Sequence, residues 1–131
     1  MEKLDNSSAI DSFEIERENK NRADEIIEFS KELAKYKIKF NNLVNSSPKH
    51  KDTRNSALGI ALKICNNDEI SSYILHNRRL PIKKICAYTG FNRKFVDKWR
   101  KYIIALFILF NSEKFIYIKS YLNIKVGESN E

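Results

Sequence analysis

Leu80 to Ile103 reads LPIKKICAYTGFNRKFVDKWRKYI, and the punctuation of this stretch decides the fold. Pro81 suits the first turn of a helix, where a missing N–H costs nothing. Ile82, Ile85 and Cys86 fall on one side of that helix. Gly90 stands where a tight turn needs a positive φ. Phe91 anchors the turn, and Asn92 offers a cap oxygen to a second helix. That second helix keeps Phe95, Val96, Trp99, Ile103, Leu106 and Phe110 on one side. The spacing is that of a helix-turn-helix at residues 80–102, with Val96 and Trp99 holding its second helix to a core.

The outward positions of the second helix are Asn92, Arg93, Lys94, Asp97, Lys98 and Lys101. A recognition helix enters the major groove with such positions, where Arg and Lys bond guanine O6 and N7. Arg78, Arg79, Lys83 and Lys84 are placed to meet backbone phosphates. Residues 78–101 carry nine basic side chains and one acid, Asp97, whereas residues 1–30 carry four basic and nine acidic ones. A basic face can be no more than a solvated one, but a swing of this size within one chain favours a binding surface for an anionic partner.

Working outward, the chain of 131 residues suits one domain with a modest core, and its 42% apolar content allows a globular fold. Only 3 Gly and 2 Pro are present, too few for the many tight turns of a sandwich or barrel. The expected fold is therefore all-α, a small bundle of five or six helices containing the helix-turn-helix. The net charge of +7 again favours nucleic acid or an acidic protein face.

Residues 1–20 are polar and acidic and read as a mobile lead-in. Residues 21–125 form the helical DNA-binding domain, and 126–131 a C-terminal tail. Within the domain, Ile26, Phe29, Leu33 and Tyr36 make one apolar stripe over a first helix from about Asn21 to Tyr36. A short helix is expected from Phe40 to Asn45, with Phe40, Leu43 and Val44 inward, ended by Ser46-Ser47-Pro48. Asp52 is expected to cap a third helix to about Asn66, with Ala57, Ile60, Ala61, Ile64 and Cys65 inward. Gly59 costs that helix up to about 1 kcal/mol against Ala and marks a candidate close crossing. A fourth helix near Asp68 to His76 presents Ile70, Tyr73 and Ile74. The expected core is Leu33, Ile60, Ile64, Ile85, Val96, Trp99, Ile103 and Leu106, and loss of a buried Trp99 side chain should cost about 3–5 kcal/mol.

Other chemistry has little to stand on. Cys65, Cys86, His50 and His76 match no short paired zinc-ligand spacing, and both thiols fall on apolar helix faces. No metal or cofactor is expected, and no small-molecule substrate. Neither a nucleophile with a partner His at a recognisable spacing nor a glycine-rich phosphate loop is present, so an enzyme is not expected. The aromatic residues invite RNA stacking, yet at helical spacing most read as core. The longest apolar stretch, Tyr102 to Phe110, has nine residues, about half of a membrane span. With no signal peptide and two distant cysteines, a cytoplasmic location is expected.

Three blocks resemble the C-terminal half of the sigma-I group of alternative bacterial sigma factors. The first is Asn45 to Arg54, NSSPKHKDTR, similar to that family's SSPKHRDTR run. The second comprises Leu80 to Ile85, Thr89 to Lys94 and Arg100 to Ala105. The third, Phe115 to Leu122, is similar to the family's closing YPYLxxYL. Around these blocks the resemblance extends from about residue 24 to 124. The resemblance implies a sigma-4-like domain that reads the −35 promoter element and works with the RNA polymerase core through the full-length factor. It also implies a membrane-anchored anti-sigma protein that holds the factor inactive through its small cytoplasmic N-terminal domain, with regulation linked to heat, cell-wall or polysaccharide signals and a role in stress response. The half that grips polymerase and melts the −10 element is absent, so the sequence reads as a fragment whose Met1 was supplied by cloning. Trp99, Phe95 and Asp97 depart from the family's usual polar residue, small residue and glutamate, which leaves the base preference open.

The alternative is a helix-turn-helix protein-interaction module whose basic face mainly binds a regulatory protein. His50 and Lys49 could contact phosphate, the anti-sigma partner or solvent alone. The segment after Lys101 is apolar on nearly every side, and Ile104, Phe107 and Ile108 lie off the inward stripe. They are either ordinary core or an anti-sigma docking patch.

Overall fold

The computed structural model describes residues 20–120. All of its regular structure is helical: α1 (residues 20–34), α2 (Phe40–Ser46), α3 (Lys51–Cys65), α4 (Asp68–Asn77), α5 (Ile82–Thr89), α6 (Arg93–Lys98), α7 (Arg100–Phe110) and α8 (residues 116–120). The all-helical expectation holds, but the helices number eight among the described residues rather than five or six. One extra element comes from a break at Trp99, where φ −103° and ψ 17° end α6 and begin α7. The lead-in through residue 19, Leu122 and the tail lie outside the described residues.

Two helices form the centre. α3 supplies Ala57, Ile60, Ala61 and Ile64, and packs chiefly against α7. Seven of the eleven residues of α7 are buried, from Ile103 through Leu109. Phe29, Leu33 and Tyr36 of the α1 segment join this core, as do Ile74, Ile85 and Val96. Phe29 meets Phe115 edge-on at 5.6 Å between ring centroids, which fastens α1 to the start of α8. The expected core is buried except at Trp99, which is partly covered; the expected loss for that side chain is correspondingly too large.

Local chemistry sets the helix ends. Asn67 caps α4 through Oδ1, which accepts from the Ile70 amide at 3.0 Å. The Ser71 hydroxyl donates to the Ile64 carbonyl at 2.7 Å, fixing α4 on α3. α1 ends in a reversed double bond: Ile38 N–H donates to Leu33 O at 3.1 Å and Lys37 N–H to Ala34 O at 3.0 Å. This is the Schellman pattern, and it puts Lys37 at φ 61° where glycine is usual. Arg78 ends α4 with the simpler left-handed cap, at φ 58°, its N–H donating to the Ile74 carbonyl at 2.8 Å.

Four further expectations change. Ile26 is exposed; the inward position one step earlier is taken by Glu25, whose carboxylate accepts from the Tyr117 and Ile118 amides at 3.1 and 3.2 Å and so caps α8 from across the fold. Val44 is exposed, because a seven-residue helix lying on α7 has room for one inward ridge, filled by Leu43. Asp52 lies inside the first turn of α3, where its charge favours the amide end; the cap position is His50, without a side-chain bond. Gly59 is no close crossing, since a Cβ there would meet nothing within 4 Å.

Ile104, Phe107 and Ile108 are core residues. They are 6%, 0% and 6% exposed, so they offer no docking patch on the folded domain. The reason is the central position of α7, which packs against α3, α2 and α6; Tyr36, Leu75 and Phe115 border one cleft with Phe107 and Ile108, and Tyr36, Ile38 and Leu80 border another with Ile104. A bundle helix with one inward face is what the spacing predicts for α7, whereas α7 is the centre of the fold.

Candidate nucleic-acid interface

The α5–α6 pair is built as the sequence requires. Pro81 stands at the cap position of α5, one residue before the first turn, and Ile85 is fully buried beneath. Gly90 takes φ 82°, and its amide donates to the Cys86 carbonyl at 2.9 Å. The Asn92 side chain accepts from the Phe95 amide at 2.8 Å, which satisfies one of the otherwise unpaired donors at the start of α6. Val96 alone of α6 is fully buried, and the Phe91 and Phe95 rings stack at 5.2 Å to brace the turn from outside.

This architecture leaves Asn92, Arg93, Lys94, Asp97 and Lys98 exposed at the cap and along α6, and Lys101 exposed as the second residue of α7. Arg78, Arg79, Lys83 and Lys84 are exposed as well, at and just before the start of α5. The candidates therefore fall on connected elements rather than scattered over the surface. Arg93 and Lys94 form the first turn of α6, the end that enters a groove in helix-turn-helix docking.

Several of these cations have intramolecular partners. Lys84 Nζ lies 2.8 Å from Glu69 Oε1, and that hydrogen bond and charge hold the Glu69 carboxyl below its ordinary range and the Lys84 ammonium above it. Both groups are exposed, so the pair contributes little to stability. Arg100 Nη1 lies 3.1 Å from Asp97 Oδ1, and Lys98 Nζ sits 5.0 Å from the Trp99 ring. Arg78 stacks on Tyr36 at 5.3 Å and donates to its hydroxyl at 3.3 Å.

Two basic side chains that helical spacing does not single out, Arg100 and Lys37, stand beside these. Arg100 is exposed at the α6–α7 break; the expected unbroken helix had turned it aside. Lys37 arrives from the end of α1 and lines the same cleft as Arg78, Arg79, Arg100 and Lys101. Nothing in sequence spacing joins Lys37 to residues so far along the chain. The Asn45–Arg54 block also lies close by: Ser46 borders the Lys98–Tyr102 surface. Burial raises the Tyr102 phenol above its ordinary range, while the Arg54 charge nearby pulls it back.

No helix among the described residues is long and apolar enough to cross a membrane. No protein-family profile matches the chain. Individual proteins do. The chain is 33% identical over 114 residues to RNA polymerase sigma factor SigI of Bacillus subtilis, covering 87% of the chain and 45% of that protein. It is 36% identical over 130 residues to SigI of Bacillus anthracis, covering 99% and 53%. With SigI7 of Acetivibrio thermocellus it shares 32% identity over 118 residues, covering 90% and 50%. The chain spans about half the length of the curated relatives it matches. Over that half, the chain belongs to the SigI family of RNA polymerase sigma factors.

Proposed function

We propose that this chain is the −35-reading C-terminal part of a SigI-type alternative sigma factor, working in transcription initiation together with the polymerase core and without catalysing a reaction. The observation that carries the proposal is the first turn of α6. It is capped by Asn92, held to the core through Val96, and presents Arg93 and Lys94 to solvent. Arg93 and Lys94 read bases or the closest phosphates. Lys98, Lys101, Lys83, Arg78 and Arg79 hold the backbone on either side, and Lys84 joins them when Glu69 releases it.

Binding of fluorescent duplexes to the chain, over a salt series, tests this. The promoter duplex should be bound more tightly than a scrambled one. Arg93→Ala should remove about 1–3 kcal/mol from promoter binding and narrow that difference. Unchanged promoter affinity in both Arg93→Ala and Lys94→Ala would show that α6 is not the reader. The isolated chain should bind weakly, since polymerase is not there to raise its local concentration.

Control by a membrane-anchored anti-sigma protein belongs to the same proposal, on a changed surface. With Ile104, Phe107 and Ile108 in the core, the contact must use other side chains. Exposed Ile26 and Ile27 on α1 and Ile116 on α8 lie next to Glu25 and Tyr117, the residues that join those two helices. They favour this part of the domain for a protein contact.

A further inference from the structure

Three non-glycine residues among those described have a positive φ, and two of them, Lys37 and Arg78, are long cations. Left-handed backbone is unfavourable for any residue with a side chain, and glycine is the ordinary choice at a helix C-terminus. Lys37 and Arg78 end two different helices, α1 and α4, yet they line one cleft of about 380 Å³. Residues that persist in strained backbone direct attention to what their side chains do.

The walls of this cleft are strongly of one sign. Lys37, Arg78, Arg79, Arg100 and Lys101 contribute five cations, against Asp97 alone. Tyr36 adds a hydroxyl, held toward Arg78 at 3.3 Å. The floor is apolar, made of Ile38, Leu80 and Ile104, so the cations are not held apart by acids beneath them. Lys37 has no acid among the residues lining the cleft other than Asp97, which is bound to Arg100. Cations converging over an apolar floor, with guanidinium forks among them, suit the tetrahedral oxygens of a phosphate.

The cleft adjoins the reading helix: Asp97 of α6 and Arg100 and Lys101 of α7 line it from either side of the break at Trp99.

We propose that this cleft is a phosphodiester clamp, in which Lys37 and Arg100, together with Arg78, Arg79 and Lys101, hold one backbone phosphate of the bound duplex. The inference rests on the proposed DNA-binding role and adds a contact from α1, outside the helix-turn-helix. It also explains the left-handed lysine: its amide completes the Schellman turn while its ammonium serves the duplex.

Lys37→Gly in the full chain separates the two roles. Glycine relieves the backbone, so the variant should melt at a higher temperature than the parent. The clamp requires that the same variant bind promoter and scrambled duplexes alike about fivefold to tenfold more weakly at 0.1 M salt, with a salt slope lower by about one unit. Arg100→Ala should do the same to binding. Lys31→Ala, which removes a lysine facing Glu28 on α1, serves as the charge control and should change neither. A Lys37→Gly variant that is stabilised but binds both duplexes as the parent does overturns the clamp. Inorganic phosphate that shifts the Lys37 amide resonance, with duplex binding unaffected by Lys37→Gly, assigns the cleft to a free anion and also overturns it. If the parent binds duplex without preferring the promoter, the −35 reading fails on its own, and the salt slope still decides the clamp.

Discussion

Replacing Phe107 by alanine tests whether α7 is the covered centre of the fold. The ring is fully buried between α3 and the residues that flank α1 and α8, and the Phe107 carbonyl accepts from the Asn111 amide at 2.8 Å. Alanine keeps that backbone bond and has the best helix propensity, so helix formation is not penalised. The loss is therefore one of packing, about 3–5 kcal/mol for a buried Phe→Ala change. Against a typical domain stability of about 5–15 kcal/mol, this leaves the variant marginal. With a urea m value of about 1–1.5 kcal/mol/M, the unfolding midpoint should fall by about 2–5 M while m itself stays constant. Phe110→Ala, on the same helix but only partly buried, should cost clearly less. A loss below about 1 kcal/mol for Phe107→Ala, or one no larger than that of Phe110→Ala, would refute the coverage of α7. It would also return Phe107 and Ile108 to consideration as a partner surface.

Gly59→Ala should stabilise the chain by up to about 1 kcal/mol, raising the melting temperature by about 3–5 °C in calorimetry, because the added Cβ meets nothing and α3 gains helix propensity. A lower melting temperature would mean that α3 is approached more closely at Gly59 than the packing shows. Glu69→Gln frees Lys84 and removes an acid beside the first turn of α5. Binding of any duplex should strengthen by about twofold to fivefold at low salt, with a steeper salt slope. Unaltered affinity would place Lys84 away from the DNA backbone.

The helix-turn-helix was legible because its signals are local. Gly90 and Asn92 act on the residues next to them, and both do what their chemistry dictates: one takes a left-handed φ, the other caps α6. The inward stripe of Ile85, Val96, Ile103 and Leu106 was legible because helical spacing alone determines it. What escaped depends on partners distant in sequence. Glu25 faces inward because two amides of α8 wait for it some ninety residues later, and no periodicity rule turns a carboxylate toward a core. Lys37 escaped for a similar reason. A lysine does not announce a left-handed backbone as a glycine does, so neither the turn nor the approach to Arg78 can be read from its surroundings.

The break at Trp99 connects these misses. A straight helix from Asn92 to Phe110 would have to be polar on one face for its first turns and apolar all round afterwards. Bending at Trp99 removes the conflict: α6 stays at the surface, held by Val96, while α7 runs through the centre with seven residues covered. Ile104 shares a cleft with the equally buried Tyr36, Ile38 and Leu80, and the same chain segments bring Lys37 and Arg79 to it. Burying the start of α7 thus brings basic residues from α1 and the α4–α5 link beside Arg100 and Lys101. The basic cleft is a consequence of how the apolar helix was covered. Its position depends on Ile104 packing, so a conservative change there, Ile104→Val, should cost about 0.5–1.5 kcal/mol of stability yet leave duplex affinity near the parent value. Ile104→Ala opens the floor more deeply. If the cleft is held in shape by that floor, duplex binding should weaken for all sequences alike at temperatures where the variant is still folded. If binding is unaffected while the chain is measurably less stable, the cations reach the backbone independently of the packing beneath them, and the link drawn between core and interface is wrong.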